Sequence, residues 1–271
     1  MSVTEQGTEM RSYYGRPIVK EPVWRPEIPC YFFTGGIAGG CSVLHGLARL
    51  TRRERLAKTA LYVGAAADAV SPLLLISDLG RPERFLNMLR VFKVTSPMSV
   101  GSWVLLASGG ASNTAALLER RGRLAPVKWL AEGVSFAAGP PLMTYTGTLL
   151  ANTAIPVWHE ARRELPWLFG ASATASAGAA TALLLPPAEA GPARRLAIAG
   201  VAGELAWMEA MKRRLGFVGE VYDHGEAGRL ARIAKALTAS GASLLAFRGK
   251  RSRAAAVTGS VLVIDGGLTA A

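Results

Sequence analysis

Charge is what this chain has least of. Only 18% of its 271 residues are Asp, Glu, Lys or Arg, against about a quarter in an ordinary soluble domain. Histidine stops at 3 and cysteine at 2. Cys30 and Cys41 stand eleven positions apart with no C-x-x-C pair, which excludes a zinc site or a thiolate-held cluster by the usual spacings. No basic patch interleaved with aromatics and no known binding motif accompanies the formal net charge of +12. Nucleic acid is therefore not an expected partner.

What is present is apolar and long. Residues 31–48, 94–118, 133–159 and 165–188 contain no Lys, Arg, Asp or Glu. Uncharged runs of about 18 or more residues suit the roughly 30 Å hydrocarbon core of a bilayer. Several in one chain predict an all-α, polytopic transmembrane protein. Eight spans are expected, at about 31–50, 59–77, 100–118, 133–153, 166–185, 195–211, 230–247 and 253–268. The eighth is uncharged only over 254–264, before Asp265. A polar segment, 1–30, precedes them; it has no apolar core of a cleavable signal peptide. The basic residues gather between the apolar runs, as RLTRRER at 49–55, ERRGR at 119–123, MKRRLG at 211–216 and FRGKRSR at 247–253. Such clusters flank spans, and Trp24, Trp103, Trp129, Trp158 and Trp167 fall near span ends, where indole rings favour the headgroup region. Basic residues are nearly balanced across the two sides, with a lean towards a non-cytoplasmic N-terminus.

Polar features inside apolar runs need a reason. Gly35, Gly36, Gly39 and Gly40 make two overlapping G-x-x-x-G pairs, a pattern that lets helix backbones approach closely. TGGIAGG is not read as a dinucleotide loop, because no strand precedes it and no βα alternation follows. Asp68 and Glu204 lie mid-span. Each is either a carboxyl hydrogen-bonded inside the bundle, a proton relay, or a polar group lining a ligand cavity. His45 closes the first span and His159 the fourth, on opposite sides of the membrane. A pair of axial haem ligands from facing helices is therefore not expected. His159 is an interfacial or proton-handling residue.

Between the second and third spans lies DLGRPERFLNMLRVFKVTSPMSVGSW, residues 78–103. Leu79, Phe85, Leu86, Met88 and Leu89 are spaced for a short amphipathic helix, with Pro82 suited to its first turn. Ser96 before Pro97 is an N-cap for the third span. This stretch, with PVWRPEIPCYFFTGGIAGG before it and PPLMTYTGTLLANTAIPVWHEARRELPWLFGASATASAG after it, resembles the polysulfide reductase NrfD family of membrane subunits. The resemblance covers about residues 22–185. The last span departs from it, ending in VLVIDGGLTAA where the family closes with a longer apolar helix.

The resemblance implies a haem-free, metal-free subunit of two four-helix bundles, here 31–153 and 166–268 within a domain of 31–268. It implies a bound quinone, of the menaquinone type, and a ferredoxin-like iron–sulfur subunit docked nearby. That subunit would pass electrons to a molybdopterin-type catalytic subunit at the plasma (inner) membrane of a prokaryote. Tyr145 matches the family tyrosine that hydrogen-bonds quinone. Ser96, Met98, Ser99 and Trp103 match a block expected to wall the quinone cavity. Asp78 and Arg81 match the family loop expected to dock the partner, with Arg84 beside them; Trp158 and His159 match the end of the fourth span. Asp68, Glu204 and His159 are the expected proton-handling groups. Two other readings remain open on the sequence. Gly139-Pro140-Pro141 is expected to break the fourth span, a discontinuity that transporters use, and the chain could also serve as an anchor alone.

Overall fold

A computed structural model describes residues 26–79, 81–122, 124–249 and 252–270, with side chains as far as Val263. Residues 1–25, which carry Trp24 and most of the expected polar segment, lie outside the described residues, as does the side chain of Asp265. Every regular element among the described residues is helical. The long helices are α1 (Glu27–Leu50), α2 (Glu54–Asp78), α3 (Pro97–Arg121), α4 (Ala125–Ala151), α6 (Leu165–Leu184), α7 (Gly191–Leu215), α8 (Gly225–Phe247) and α9 (Arg253–Ala270). A short α5 (Pro156–Glu160) joins α4 to α6, and 3-10 turns cover Pro82–Leu89, Ala161–Arg163 and Gly216–Tyr222. The long helices fall on the expected apolar runs. Most extend beyond them because their ends carry the charges that excluded those residues from a span.

Local chemistry sets several boundaries. Ser96 caps α3, accepting from the Ser99 backbone N–H at 3.4 Å, with Pro97 in the first turn. The other end of α3 stops at Gly122, whose left-handed φ of 61° costs glycine nothing. The expected break at Gly139-Pro140-Pro141 does not occur: α4 runs unbroken for 27 residues with both prolines inside it. Proline removes two N–H donors, leaving the carbonyls of Phe136 and Ala137 without their usual i+4 partners. A helix held by close neighbours tolerates that, and α1 supplies the neighbour at this level.

The contact with α1 is backbone on backbone. A methyl group at Gly39 would sit 2.7 Å from the Gly139 carbonyl oxygen on α4, and one at Gly40 2.6 Å from Ala177 Cβ on α6. The G-x-x-x-G pairs thus serve two partners at once. Helices α1 to α4 pack in sequence around α1 and α4, α6 to α9 pack in sequence, and α1 and α4 both lie against α6. The seam between the two groups is small-residue packing of the kind membrane helices use.

Three helices, α2, α6 and α8, are by length and composition long and apolar enough to cross a membrane among the described residues. Large apolar side chains also point outward on other helices: Leu106 on α3 is 47% exposed and Leu130 on α4 is 69% exposed. An apolar outer surface of this extent suits lipid rather than water. The protein is an all-α, polytopic membrane protein.

Candidate functional site

The α3 N-terminus and the C-terminal half of α4 meet at one end of the first four helices and leave a cavity of about 310 Å³. Pro97, Val100 and Val104 line it from α3, and Pro141, Tyr145 and Thr148 from α4. That volume lies at the lower end of the range usual for small-molecule sites, roughly 300–1,000 Å³. Tyr145 reaches it because α3 carries no side chain at Gly101. A methyl group there would stand 2.6 Å from Tyr145 Cδ2, inside van der Waals contact. Among the described residues, the Tyr145 hydroxyl has no hydrogen-bond partner.

The expected cavity wall divides on inspection. Ser96 is the α3 cap. The Ser99 hydroxyl donates to the Val91 carbonyl and accepts from the Lys93 N–H, both at 3.0 Å. Both hydroxyls therefore hold the loop 91–99 in place, and neither lines the cavity. Met98 is 58% exposed beside it. Trp103 meets Phe92 edge-on, with ring centroids 6.2 Å apart, and its indole N–H is buried without a partner among the described residues. The residues that sequence reasoning missed, Gly101 and Thr148, carry no chemical signature of their own. Gly101 stood inside the quoted block but only the Tyr145 contact shows its use.

The amphipathic segment forms a 3-10 helix, Pro82–Leu89, on the same end of the molecule. Asp78 ends α2, and Arg81, Arg84, Arg90 and Lys93 stand exposed on the segment that follows. Trp158 is half-buried on α5, packed on the core formed by Leu165, Met211 and Leu215, and hydrogen-bonded with Tyr222. Burial pushes the Tyr222 phenol up, and the Trp158 bond partly offsets this. His159 is exposed at the surface and lines neither the Tyr145 cavity nor the one beside Glu204. Close by, Arg214 grips Glu164 through both guanidinium arms, one at 2.6 Å, tying the start of α6 to the end of α7.

Asp68 is elsewhere. It is 1% exposed between α2 and α3, and its Oδ2 accepts from Ser112 at 2.6 Å and Ser108 at 3.1 Å. The i, i+4 serines sit on one face of α3, which is the spacing this contact needs. Pro72 lies four residues on in α2, so the Asp68 carbonyl also lacks its helical donor. Ser112→Ala is expected to destabilise the protein by about 0.5–1.5 kcal/mol, the net worth of one hydrogen bond, since Ser108 still donates to the same oxygen. Thermal unfolding in detergent reads the effect, and Ser108→Ala, on the longer bond, should do less.

The opposite end of the first four helices is closed by charge. His45 donates through Nδ1 to the Ala57 carbonyl at 2.8 Å, and its Nε2 lies 3.5 Å from Glu132. Lys128 and Lys58 both pair with Glu119, at 2.7 and 2.9 Å. His45 therefore stands near the N-terminal end of α4, and His159, on α5, beyond its C-terminal end. Among the described residues, no three His, Cys, Asp or Glu side chains are gathered as a metal would require.

A comparison with family models matches residues 18–215 to polysulphide reductase, NrfD. That span reaches beyond the 22–185 of the sequence resemblance and takes in α7 with Glu204, while α8 and α9 lie outside it. A comparison with curated proteins finds none that matches the chain. With the match running over most of the chain, and over every residue of the Tyr145 cavity, the protein belongs to the polysulphide reductase NrfD family, whose members are membrane subunits of quinone-linked oxidoreductase complexes.

Proposed function

We propose that the chain binds a quinone of the menaquinone type in the Tyr145 cavity and exchanges its electrons with an iron–sulfur subunit docked on the same end. The observation that carries this reading is the Tyr145 hydroxyl, without a partner among the described residues, at the edge of a mostly apolar cavity of ring-binding size. Valine and proline walls suit a flat apolar ring, and the phenol and the hydroxyl of Thr148 offer donors to ring oxygens, whereas the Thr144 hydroxyl donates to the Pro140 carbonyl. A quinone bound there would supply two-electron, two-proton redox chemistry. Tyr145 would orient the ring, Gly101 would keep the tyrosine in place, and the loop fastened by Ser96 and Ser99 would set the mouth of the cavity.

The exposed basic groups Arg81, Arg84, Arg90 and Lys93, with Asp78 at their edge, suit an acidic partner surface and would steer it to this end. We read that partner as a ferredoxin-like subunit that hands electrons to a molybdopterin-type enzyme, in the plasma membrane of a prokaryote, serving anaerobic respiration. Trp158 contributes to this end as a fixed strut rather than a free contact, given its bond with Tyr222. Asp68, closed off by its serines, and His159, on the surface, are the less direct candidates for moving protons.

Tyr145→Phe removes one hydroxyl and nothing else. Quenching of tryptophan fluorescence by a quinone analogue should show affinity falling by up to about tenfold, the worth of one hydrogen bond near 1.4 kcal/mol. Unaltered binding and unaltered quinol turnover would place the ring site away from Tyr145, and no binding by the native protein would favour the anchor-only reading. The transporter reading has lost its structural support, since α4 is continuous.

A further inference from the structure

A second cavity lies on the other face of α4, where α1, α4, α6 and α7 converge. Its volume is about 60 Å³, and it is partly open at one side. Met143 and Thr146 face it, whereas Thr144, Tyr145 and Thr148 face the larger one. The helix itself separates the two. Into the small chamber projects Glu204 from α7, 7% exposed, with the Ser172 hydroxyl beside its carboxyl and its Oε2 without a hydrogen-bond partner among the described residues.

A buried carboxyl oxygen with no partner is costly in a low-dielectric interior. No charged group offsets it: among the residues lining the chamber, α1 offers Phe32, α4 Thr146 and α6 Ser172 and Ser176, and Glu204 is the one titratable side chain. Among the described residues no protein group supplies the missing bond, but the space does. At roughly 30 Å³ of liquid volume per molecule, the chamber has room for about two waters, and a site needs two to four polar partners to hold one. Glu204, Ser172, Ser176 and Thr146 are such partners. Asp68, also buried, differs in lining neither cavity.

We propose that this chamber is a hydrated proton-binding site, in which Glu204 takes one proton from, and returns it to, a cluster of about two waters, apart from the Tyr145 cavity. The exchange is carboxylate plus proton to carboxylic acid, with no electron transferred. The position supports a route along the α1–α4–α6–α7 seam rather than through the ring site. The inference stands whether or not a quinone occupies the larger cavity.

Infrared difference spectroscopy on the full chain in lipid nanodiscs, free of quinone, tests it. A carboxylic acid C=O band should appear on acidification, shift in D2O, vanish in Glu204→Gln and persist in Asp68→Asn. Ser172→Ala should move the band without abolishing it, which keeps the test decisive if Glu204→Gln folds poorly. A band unaffected by Glu204→Gln and Ser172→Ala, a band that does not shift in D2O because the chamber is dry, or one that responds to sodium at constant pH would each overturn the proposal. Fluorescence quenching by a quinone analogue on the same samples keeps the two readings apart: its loss would sink the ring site and leave the band untouched.

Discussion

Gly101→Ala is expected to abolish quinone-analogue binding that the native protein shows, while leaving the helices in place. One added methyl group would overlap the Tyr145 ring, with Cδ2 at 2.6 Å and Cζ at 2.9 Å. The α3 backbone is pinned on this turn by the Ser96 cap and the Ser99 bonds to the loop, so the ring is the part that yields. It would swing into the cavity it now borders. The loss should exceed that of Tyr145→Phe, because the ring blocks the site as well as misplacing its hydroxyl. A double-mutant cycle separates the two effects. The stability cost of Gly101→Ala should shrink in a Tyr145→Ala background, with a coupling of about 0.5–3 kcal/mol, as for residues in direct contact. Binding should stay lost in both. Native-like binding by Gly101→Ala would show that the ring site lies elsewhere.

Gly200→Ala carries the largest expected effect on stability. Its Cβ would stand 2.6 Å from Ala175 Cα and 2.9 Å from the Ala171 carbonyl oxygen, so backbone meets backbone where α7 crosses α6. No rotamer relieves that. The helices must part, at a cost of about 1–3 kcal/mol for one methyl group and more for valine. Gly133→Ala on α4 is the matched control, with nothing within 4 Å of its added carbon; helix propensity alone should leave it neutral or slightly stabilised. Unfolding in detergent, followed by helical circular dichroism, should put Gly200→Ala well below both native protein and control. Equal stability of the two variants would mean that α6 and α7 are not packed so closely.

The path from residues to helices was short. Runs without charge mark where a chain can sit in hydrocarbon, and the serine–proline start of α3 and the glycine after it are read locally, so helix number, class and several ends were legible. The glycine pairs of α1 announced close packing. The family resemblance named Tyr145 and the SPMS block together, and of these Pro97 and Tyr145 line the same cavity. The assignment of roles within that block was not. Ser96 and Ser99 look like donors to a ligand until their hydroxyls are seen on the α3 backbone and the 91–93 loop. The proline pair looked like a break until the α1 neighbour was seen beside it.

Asp68 and Glu204 make the contrast sharpest. As letters they are the same thing, one carboxylate in the middle of an apolar run. Packing gives each a serine partner and leaves one oxygen of each unpaired among the described residues, but it sets only Glu204 against a chamber. Burial of a polar group follows from its own segment, since apolar neighbours draw it into the bundle or the bilayer. Its hydrogen-bond partners come from helices distant in the chain, where register and crossing angle decide which hydroxyl arrives. Hydropathy acts residue by residue and can be read along a line; satisfaction of a buried polar atom is a matter of which atoms meet in space.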